Sequence, residues 1–140
     1  MEWIQTVYEA NLAHVEHGII QNLGSRVALI TRVGRKLKDC IVDQTVTKEV
    51  ALQHITLGIR ELHTISLAHC DICISNCYVD MSGRTPVVFL DDLEYIRPID
   101  ASPPPPPHNS RLPRGHVLPL TARELDLLQL KTLEIEIMSV

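Results

Sequence analysis

Three stretches of the chain carry hydrophobic residues at helical spacing. We predict helices over residues 2–12, 47–66 and 121–138, because apolar side chains three and four residues apart share one helix face. Thr47 and Thr121 are suited to cap the second and third helices, and a glutamate three residues after Thr121 completes a capping box. The expected apolar faces consist of Trp3, Val7 and Ala10, of Ala51, Ile55, Ile59 and Leu62, and of Leu125, Leu128, Thr132 and Ile135.

Shorter apolar runs predict strands between these helices. Residues 27–30 (VALI) are typical of a buried strand that leads into a turn, and residues 17–20 of a break with a short extended piece. Residues 77–80 and 87–90 flank a segment rich in turn residues, which predicts a hairpin. Helices and strands together place the chain in the α+β class.

The composition changes at Pro98. Five consecutive prolines, Pro103 to Pro107, exclude a helix or a central strand and predict an extended, solvated polyproline II segment. We therefore divide the chain into a main unit of residues 1–97, a proline-rich linker of residues 98–120 and a C-terminal helix of residues 121–140. A docking segment for an SH3-like or WW-like partner is the alternative to a plain linker.

Composition and charge exclude several classes of protein. The 140 residues fit one domain, and the 45% hydrophobic and 21% charged content is typical of a soluble globular protein. A net charge of -4 gives no reason to expect nucleic acid or an anionic membrane as partner. No apolar stretch approaches the roughly 18 residues of a membrane span. The start at Met1 lacks a basic segment followed by an apolar run, so we expect no secretion signal.

The cysteines are clustered rather than spread along the chain. Clustering argues against a disulfide scaffold and predicts reduced thiols in an intracellular compartment, the cytoplasm or the nucleus. Two interpretations stay open for the cluster. It is either apolar filling of the core, or a metal site completed by His69 or His63, for which zinc needs four ligands. The cluster consists of Cys70, Cys73 and Cys77, and the fourth cysteine, Cys40, lies far from it in sequence.

The residues that indicate chemistry lie in two loops next to the predicted hairpin. Residues 69–76 read H-C-D-I-C-I-S-N and follow the long helix, and residues 91–94 read D-D-L-E and follow the second strand. This arrangement resembles a protein kinase, whose catalytic loop reads H-R-D-x-x-x-x-N and whose metal loop reads D-F-G after the next strand. The apolar second residue and acidic third residue of Asp92-Leu93-Glu94 are most similar to fungal-type protein kinases and to the kinase domains of crinkler effectors.

The resemblance assigns roles to individual residues. Phosphoryl transfer needs a carboxylate that orients the attacking hydroxyl and oxygen ligands that hold Mg²⁺ against the phosphates. By resemblance, Asp71 is the catalytic base, and His69 is a structural brace in the catalytic loop. Asn76 and Asp92 are the expected Mg²⁺ ligands, with Asp91 as the alternative to Asp92.

The resemblance also implies a fold and a cofactor. Residues 28–34 resemble the strand and hinge that hold adenine, so Ala28, Ile30, Thr31 and Val33 are the expected nucleotide contacts. The implied fold is the helical large lobe of a kinase with the hinge strand and catalytic-loop hairpin, in truncated form. ATP and Mg²⁺ are the implied cofactors, and a serine or threonine hydroxyl of a protein is the implied acceptor.

Several departures from the kinase pattern leave three functions open. Cys70 replaces the arginine of H-R-D, Cys73 replaces the lysine two residues after the catalytic aspartate, and the proline run replaces the activation segment. A glycine-rich loop and a strand lysine are not recognisable. The chain is therefore expected to be a kinase-like phosphotransferase that is inactive alone, a pseudokinase or interaction module, or a small cysteine metal-binding protein.

Overall fold

The computed structural model describes residues 2–105 and 121–140, which form four α-helices and three small antiparallel sheets. The predicted α+β class is confirmed. The helices are α1 Glu2–Ala10, α2 Leu37–Val42, α3 Lys48–Thr64 and α4 Ala122–Met138. The strands are β1 Gly18–Leu23, β2 Arg26–Thr31, β3 Arg35–Lys36, β4 Leu67–Ala68, β5 Cys77–Asp80, β6 Val87–Leu90 and β7 Arg97–Pro98. No helix in the described part of the chain is long and apolar enough to cross a membrane.

Helix α3 lies at the centre of the molecule and follows its sequence pattern. The Thr47 hydroxyl accepts a hydrogen bond from the Val50 amide at 3.2 Å, as expected of an N-cap. Gly58 lets the helix approach the preceding loop, since a Cβ at this position would lie 2.5 Å from the His14 carbonyl oxygen. The four residues of the predicted apolar face, Ala51, Ile55, Ile59 and Leu62, are all buried.

The β5–β6 hairpin packs on α3 and forms the other half of the core. Its register runs from Cys77 opposite Leu90 to Asp80 opposite Val87, as the turn residues between the two runs predict. The N-terminal segment joins this hairpin, because the Glu16 amide donates to the Leu90 carbonyl at 2.7 Å. The two loops that carry the kinase-like motif leave from the ends of this packed unit.

Strands β1 and β2 form a separate two-stranded sheet joined by a tight turn. Gly24 in the turn has φ +69°, a left-handed conformation that glycine adopts at little cost. The prediction of a buried strand over residues 27–30 is wrong about burial. Val27 is 53% exposed and Ile30 is 51% exposed, whereas the neighbouring strand β1 contacts α1 and places Ile20 against the main core.

Helix α4 packs against α3 and begins after the N-cap predicted at Thr121, whose hydroxyl accepts from the Glu124 amide at 3.2 Å. The start of the predicted linker is joined to the folded unit. Pro98 pairs with Leu67 across β7 and β4, and the amide of the first α4 residue donates to the Ala101 carbonyl at 2.8 Å. Pro104 is buried, so the predicted solvation is wrong at that proline. Residues 106–120 of the predicted linker lie outside the described residues.

Candidate functional site

The loop of residues 69–76 connects β4 to β5 and brings Asp71 next to Asn76. The loop turns at Cys70, which has φ +70°. The Asn76 amide nitrogen Nδ2 donates both to the Asp71 carbonyl at 2.8 Å and to the Asp71 carboxylate Oδ2 at 2.9 Å. Both partners are acceptors, so the amide group has one consistent orientation. The Asn76 oxygen Oδ1 therefore points away from Asp71, where it can serve as a ligand.

His69 joins this loop to the second motif loop. Its ring nitrogen Nε2 donates to the Asp91 carbonyl at 2.7 Å, and its Nδ1 accepts from the Asp71 amide at 3.1 Å. A carbonyl oxygen only accepts and an amide N–H only donates, so the imidazole is neutral and carries its hydrogen on Nε2. Because His69 is fully buried, the ring acts as a fixed spacer between the two loops.

Asp91 follows β6 and is held directly against the loop of residues 69–76. Its amide donates to the Asn76 carbonyl at 2.8 Å. Its carboxylate oxygen Oδ1 accepts from the Asp92 amide at 2.7 Å, and the same carboxylate shares a hydrogen bond with the Glu16 carboxyl. The backbone of Asp91 is thus fixed relative to both Asn76 and His69.

Glu16 forms a close acid pair with Asp91. Burial, the hydrogen bond to Asp91 and the charge of Asp91 together raise the pKa of Glu16 to about 8. Glu16 is therefore protonated at neutral pH and donates to the Asp91 carboxylate. Its Oε1 atom accepts from the amides of His17 at 3.1 Å and Arg32 at 3.3 Å. Two carboxyl groups that share one proton meet at this position, and the sequence pattern gave no reason to select Glu16.

Asp92 occupies a more open position than Asp91. It is exposed and has φ +58°, which turns the chain immediately after Asp91. Burial raises the pKa of Tyr95, and the charges of Glu94, Asp71 and Asp92 raise it further. Asp71 and Asp92 are therefore both within electrostatic range of the same hydroxyl, although they come from different loops.

A buried carboxylate in α4 anchors the start of the loop of residues 69–76. The Asp126 oxygens accept from the amides of His69 at 3.0 Å and Cys70 at 2.7 Å, and His63 Nε2 lies 2.8 Å from Oδ2. Asp126 is fully buried, so these contacts replace the hydration that the carboxylate loses. Helix α4 thereby fixes the backbone that precedes Asp71.

Gln129, also fully buried, extends this anchor by one helical turn. Its Oε1 accepts from the Ile72 amide at 2.8 Å, and its Nε2 donates to the Cys70 carbonyl at 3.3 Å. The two bonds fix the backbone on both sides of Asp71. Sequence reasoning missed both anchors, although each of them lies between two leucines of the helix, which was the available signal.

The cysteines fill the core, as one of the two predicted interpretations states. All four are buried and free, and the Cys77 thiol donates to the Cys73 carbonyl at 3.3 Å. Burial raises the pKa of Cys70 to about 12 and also raises the pKa of Cys77. Protonated thiols are poor metal ligands. Within residues 2–105 and 121–140, no three His, Cys, Asp or Glu side chains are grouped to hold a metal ion, so the cysteine metal site is unsupported.

The predicted nucleotide contacts lie on β2 and the segment that follows it. Ala28 is half-buried, whereas Ile30, Thr31 and Val33 are exposed, with Val33 at 87%. Arg32, the residue after this strand, connects it to the motif loops. Its amide donates to Glu16, and Glu16 in turn binds Asp91. The side chain of Arg32 stacks on Phe89 of β6, 3.9 Å from the ring centre.

The residues present fit Mg²⁺ bound together with a phosphate group. Carboxylate and amide oxygens are the ligands that Mg²⁺ prefers, and nucleotide sites commonly supply only one or two carboxylates, with phosphates completing the shell. Asn76 and Asp91 supply such oxygens from two loops. A backbone hydrogen bond joins these loops, with the Asp91 nitrogen 2.8 Å from the Asn76 carbonyl oxygen. Burial is the largest cause of the raised pKa of Glu16, and the neighbouring Asp91 carboxylate, a candidate ligand, raises it further.

Comparison with known proteins identifies no family for this chain. No protein-family model matches the chain, and no curated protein matches it either. The function proposed below is therefore inferred from the geometry of the chain itself.

Proposed function

We propose that residues 69–76 and Asp91 form the reaction centre of a protein-kinase-like phosphotransferase that uses ATP and Mg²⁺ and acts on a serine or threonine hydroxyl. The observation that carries the proposal is the double connection at Asn76. Its side chain binds the Asp71 carboxylate at 2.9 Å, and its carbonyl accepts from the Asp91 amide at 2.8 Å. A candidate base, an amide ligand and a carboxylate ligand are thereby held on one rigid support.

In this proposal each residue has a distinct task. Asp71 accepts the proton of the attacking hydroxyl and orients it. Asn76 and Asp91 hold the cation, which when bound would neutralise charge on the nucleotide phosphates. We now favour Asp91 over Asp92 as the first ligand, because its backbone is fixed at both its N–H and its carbonyl, whereas Asp92 is exposed. His69 keeps the two loops at a constant separation.

A non-catalytic binding module is the second candidate function. The observation that favours it is the open surface of the β1–β2 sheet, where the residues expected to contact adenine are half-buried or exposed. A nucleotide there would be only partly enclosed, whereas small-molecule sites usually bury most of their ligand. Cys73 also replaces the lysine that would contact phosphate in the kinase pattern.

Nucleotide affinity with and without Mg²⁺ separates the two candidates. A fluorescent ADP analogue is titrated into the wild-type chain and into Asp91→Asn, Asp92→Asn and Asp100→Asn variants. The phosphotransferase proposal predicts Mg²⁺-dependent binding that weakens at least about tenfold in Asp91→Asn, weakens less in Asp92→Asn, and is unchanged in the exposed control Asp100→Asn. Absence of Mg²⁺-dependent binding in the wild type would favour the binding module.

Phosphate transfer from labelled ATP to a generic protein acceptor tests the role of Asp71. We expect Asp71→Ala to abolish transfer while the chain keeps its far-ultraviolet circular dichroism and its Mg²⁺-dependent affinity for the analogue to within about threefold. Full transfer by Asp71→Ala would show that the catalytic assignment is wrong, even if the nucleotide still binds.

A further inference from the structure

Two histidines supply hydrogen-bond acceptors to the outer edge of β6, the edge away from β5. The ring nitrogen Nδ1 of His54 in α3 accepts from the Val88 amide at 3.0 Å, and the main-chain carbonyl of His14 accepts from the Leu90 amide at 3.0 Å. Val88 and Leu90 are fully buried, so their N–H groups need these acceptors. Asp91 follows directly, and the two contacts therefore hold the strand that carries it.

The contact with Val88 requires a neutral ring at His54. A backbone N–H only donates, so Nδ1 carries a free lone pair and the ring hydrogen lies on Nε2. A proton added to Nδ1 would place two donors against each other and break the bond. Burial lowers the pKa of His54 below its ordinary value of 6.5. The ring is therefore neutral at neutral pH and takes up its proton in mildly acidic solution.

The titratable neighbour of His54 is His14. The centres of the two imidazole rings lie 4.8 Å apart, and charge on His14 lowers the pKa of His54 further. His14 itself faces Glu61 of α3, because its Nδ1 lies 2.9 Å from one carboxylate oxygen and its amide donates to the other at 2.8 Å. On its other side His54 lines a cavity of about 280 Å³, and the remaining described residues of that lining are uncharged, namely Thr45, Val46, Thr47, Val50, Thr85 and Pro86.

We propose that His54 is a pH-dependent positioning residue, which holds β6 in place when neutral and releases the Val88 amide when protonated. The consequence for metal binding rests on the proposed function, since Asp91 is the ligand that β6 positions. Histidine suits this task because its charge changes in the range between about pH 5 and 8. The unfolded chain takes up the proton at higher pH than the folded chain, so stability from this contact is fully present above pH 6.5 and is lost as the pH falls.

Amide hydrogen exchange, followed by nuclear magnetic resonance on the full chain, tests the release of Val88. Between about pH 7 and about pH 5, protection of Val88, corrected for the intrinsic rate, should fall at least about tenfold relative to Phe89. Phe89 is the reference because successive amides of a strand point to opposite sides, which places its amide on the β5 side. Glu16 stays largely protonated over this range, so it contributes little change.

Three histidine variants make this measurement specific. His54→Asn places an amide oxygen near the position of Nδ1 and cannot be protonated in this range, so Val88 should stay protected to within about threefold. His14→Asn removes the neighbouring charge and should move the midpoint of the Val88 transition to higher pH. His17→Asn, just before β1, is the control and should leave the midpoint unchanged.

The exchange data overturn the proposal in any of three cases. The first is an equal loss of protection at Val88 and Phe89 in the wild type, and the second is the same selective loss at Val88 in His54→Asn. The third is a midpoint that moves in His17→Asn and not in His14→Asn. The wild type and His14→Asn decide the question even if His54→Asn does not fold.

The Mg²⁺-dependent affinity for the fluorescent ADP analogue gives the functional readout. The phosphates of the analogue also take up a proton near pH 6, so the measured quantity is the difference between wild type and His54→Asn. The affinity of the wild type should fall at least about threefold more than that of His54→Asn between about pH 7 and about pH 5. Equal losses would overturn the role of His54 in positioning Asp91. Absence of Mg²⁺-dependent binding at pH 7 would instead contradict the proposed function, and the exchange data would still decide whether His54 releases Val88.

Discussion

The motif-bearing unit and the β1–β2 sheet differ in how their side chains are buried. In the unit of α3, β5, β6 and α4, apolar residues such as Ile55 and Leu133 are fully buried. In the β1–β2 sheet, the apolar residue Ile19 is 65% exposed. Both regions contain runs of apolar residues, so the difference in burial depends on how much of each region packs against other elements.

This difference explains why the candidate site lies where it does. A site whose atoms must stay in place needs loops with fixed backbones. Asp126 and Gln129 supply that fixation from α4, and His69 supplies it between the loops. The β1–β2 sheet is supported by its own ladder, by the contact of β1 with α1 and by the hydrogen bond from the Arg32 amide to Glu16. The predictions below test this contrast.

The largest effect is expected from removing the buried anchor in α4. Asp126→Ala leaves two buried amides and His63 without their shared acceptor, so we expect the free energy of unfolding to fall by about 3–5 kcal/mol. Urea denaturation measures this change. The exposed residue Asp100 provides the control, since Asp100→Ala should change stability by less than about 0.5 kcal/mol. Equal effects of the two substitutions would show that α4 does not anchor the loop.

The acid pair beside the motif loops predicts a pH dependence. Glu16 has an ordinary pKa of 4.5, which the fold raises to about 8, so between these values the folded chain binds a proton that the unfolded chain has lost. Stability from this group is therefore fully present below the ordinary pKa and is lost as pH rises towards 8, by up to about 1.4 kcal/mol per pH unit.

Urea denaturation between pH 5 and 9 tests this expectation with a near-isosteric variant. Glu16→Gln keeps an acceptor for the two amides and a donor for Asp91 but cannot ionise, so its stability should change less with pH and exceed that of the wild type at pH 9. The control variant Glu134→Gln, at an exposed position of α4, should follow the wild-type profile. Parallel profiles for Glu16→Gln and wild type would contradict the assignment of a protonated Glu16.

A smaller effect is expected where α3 meets the loop before β1. Gly58→Ala adds a Cβ that would meet the His14 carbonyl oxygen at 2.5 Å, and overpacking of this kind typically costs about 1–3 kcal/mol. This cost should exceed the gain of about 1 kcal/mol in helix propensity. Gly83→Ala is the matched control, because the nearest atom to its Cβ would be 3.9 Å away. A Gly58→Ala variant that is more stable than the wild type would show that the His14 backbone can shift to accommodate the added Cβ.

The smallest effect is expected on the β1–β2 sheet. Val27→Thr places a hydroxyl on a residue that is 53% exposed, so stability should change by less than about 0.5 kcal/mol. The same substitution at Val88, which is fully buried, buries an unpaired hydroxyl and should cost about 1–3 kcal/mol. Denaturation of the two variants gives a direct comparison of the regions. Similar losses at both positions would show that a further layer covers the β1–β2 sheet.

Local sequence pattern was sufficient for most elements of the fold. The cap at Thr47, the apolar face of α3 and the β5–β6 hairpin all follow from rules that involve neighbouring residues, and the structure confirms them. The exposure of β2 was not predictable in this way. An apolar run of four residues indicates a strand, but burial depends on whether another element lies across it.

The sequence predicts only part of the site, because contacts with distant elements do not follow from local pattern. Asp71 and Asn76, and Asp92 with Asp91 as its alternative, could be selected as candidates because their spacing along the chain is local. Asp126 acts on a loop 57 residues before it, and the predicted α4 face included Ile135, which is 66% exposed. The actual buried face contains Asp126 and Gln129, whose burial depends on backbone amides supplied by a distant loop.

The most direct test of the central claim is nuclear magnetic resonance with Mn²⁺ and ADP as a paramagnetic probe. If one cation site lies where the two motif loops meet, amide signals of Asp71, Asn76 and Asp91 should broaden first as the probe is added, and excess Mg²⁺ should restore them. Asp91→Asn should weaken this broadening, and Asp100→Asn should not. Broadening confined to exposed acidic residues such as Glu49 of α3 and Glu134 of α4, with the signals of Asp71, Asn76 and Asp91 unaffected, would contradict the account.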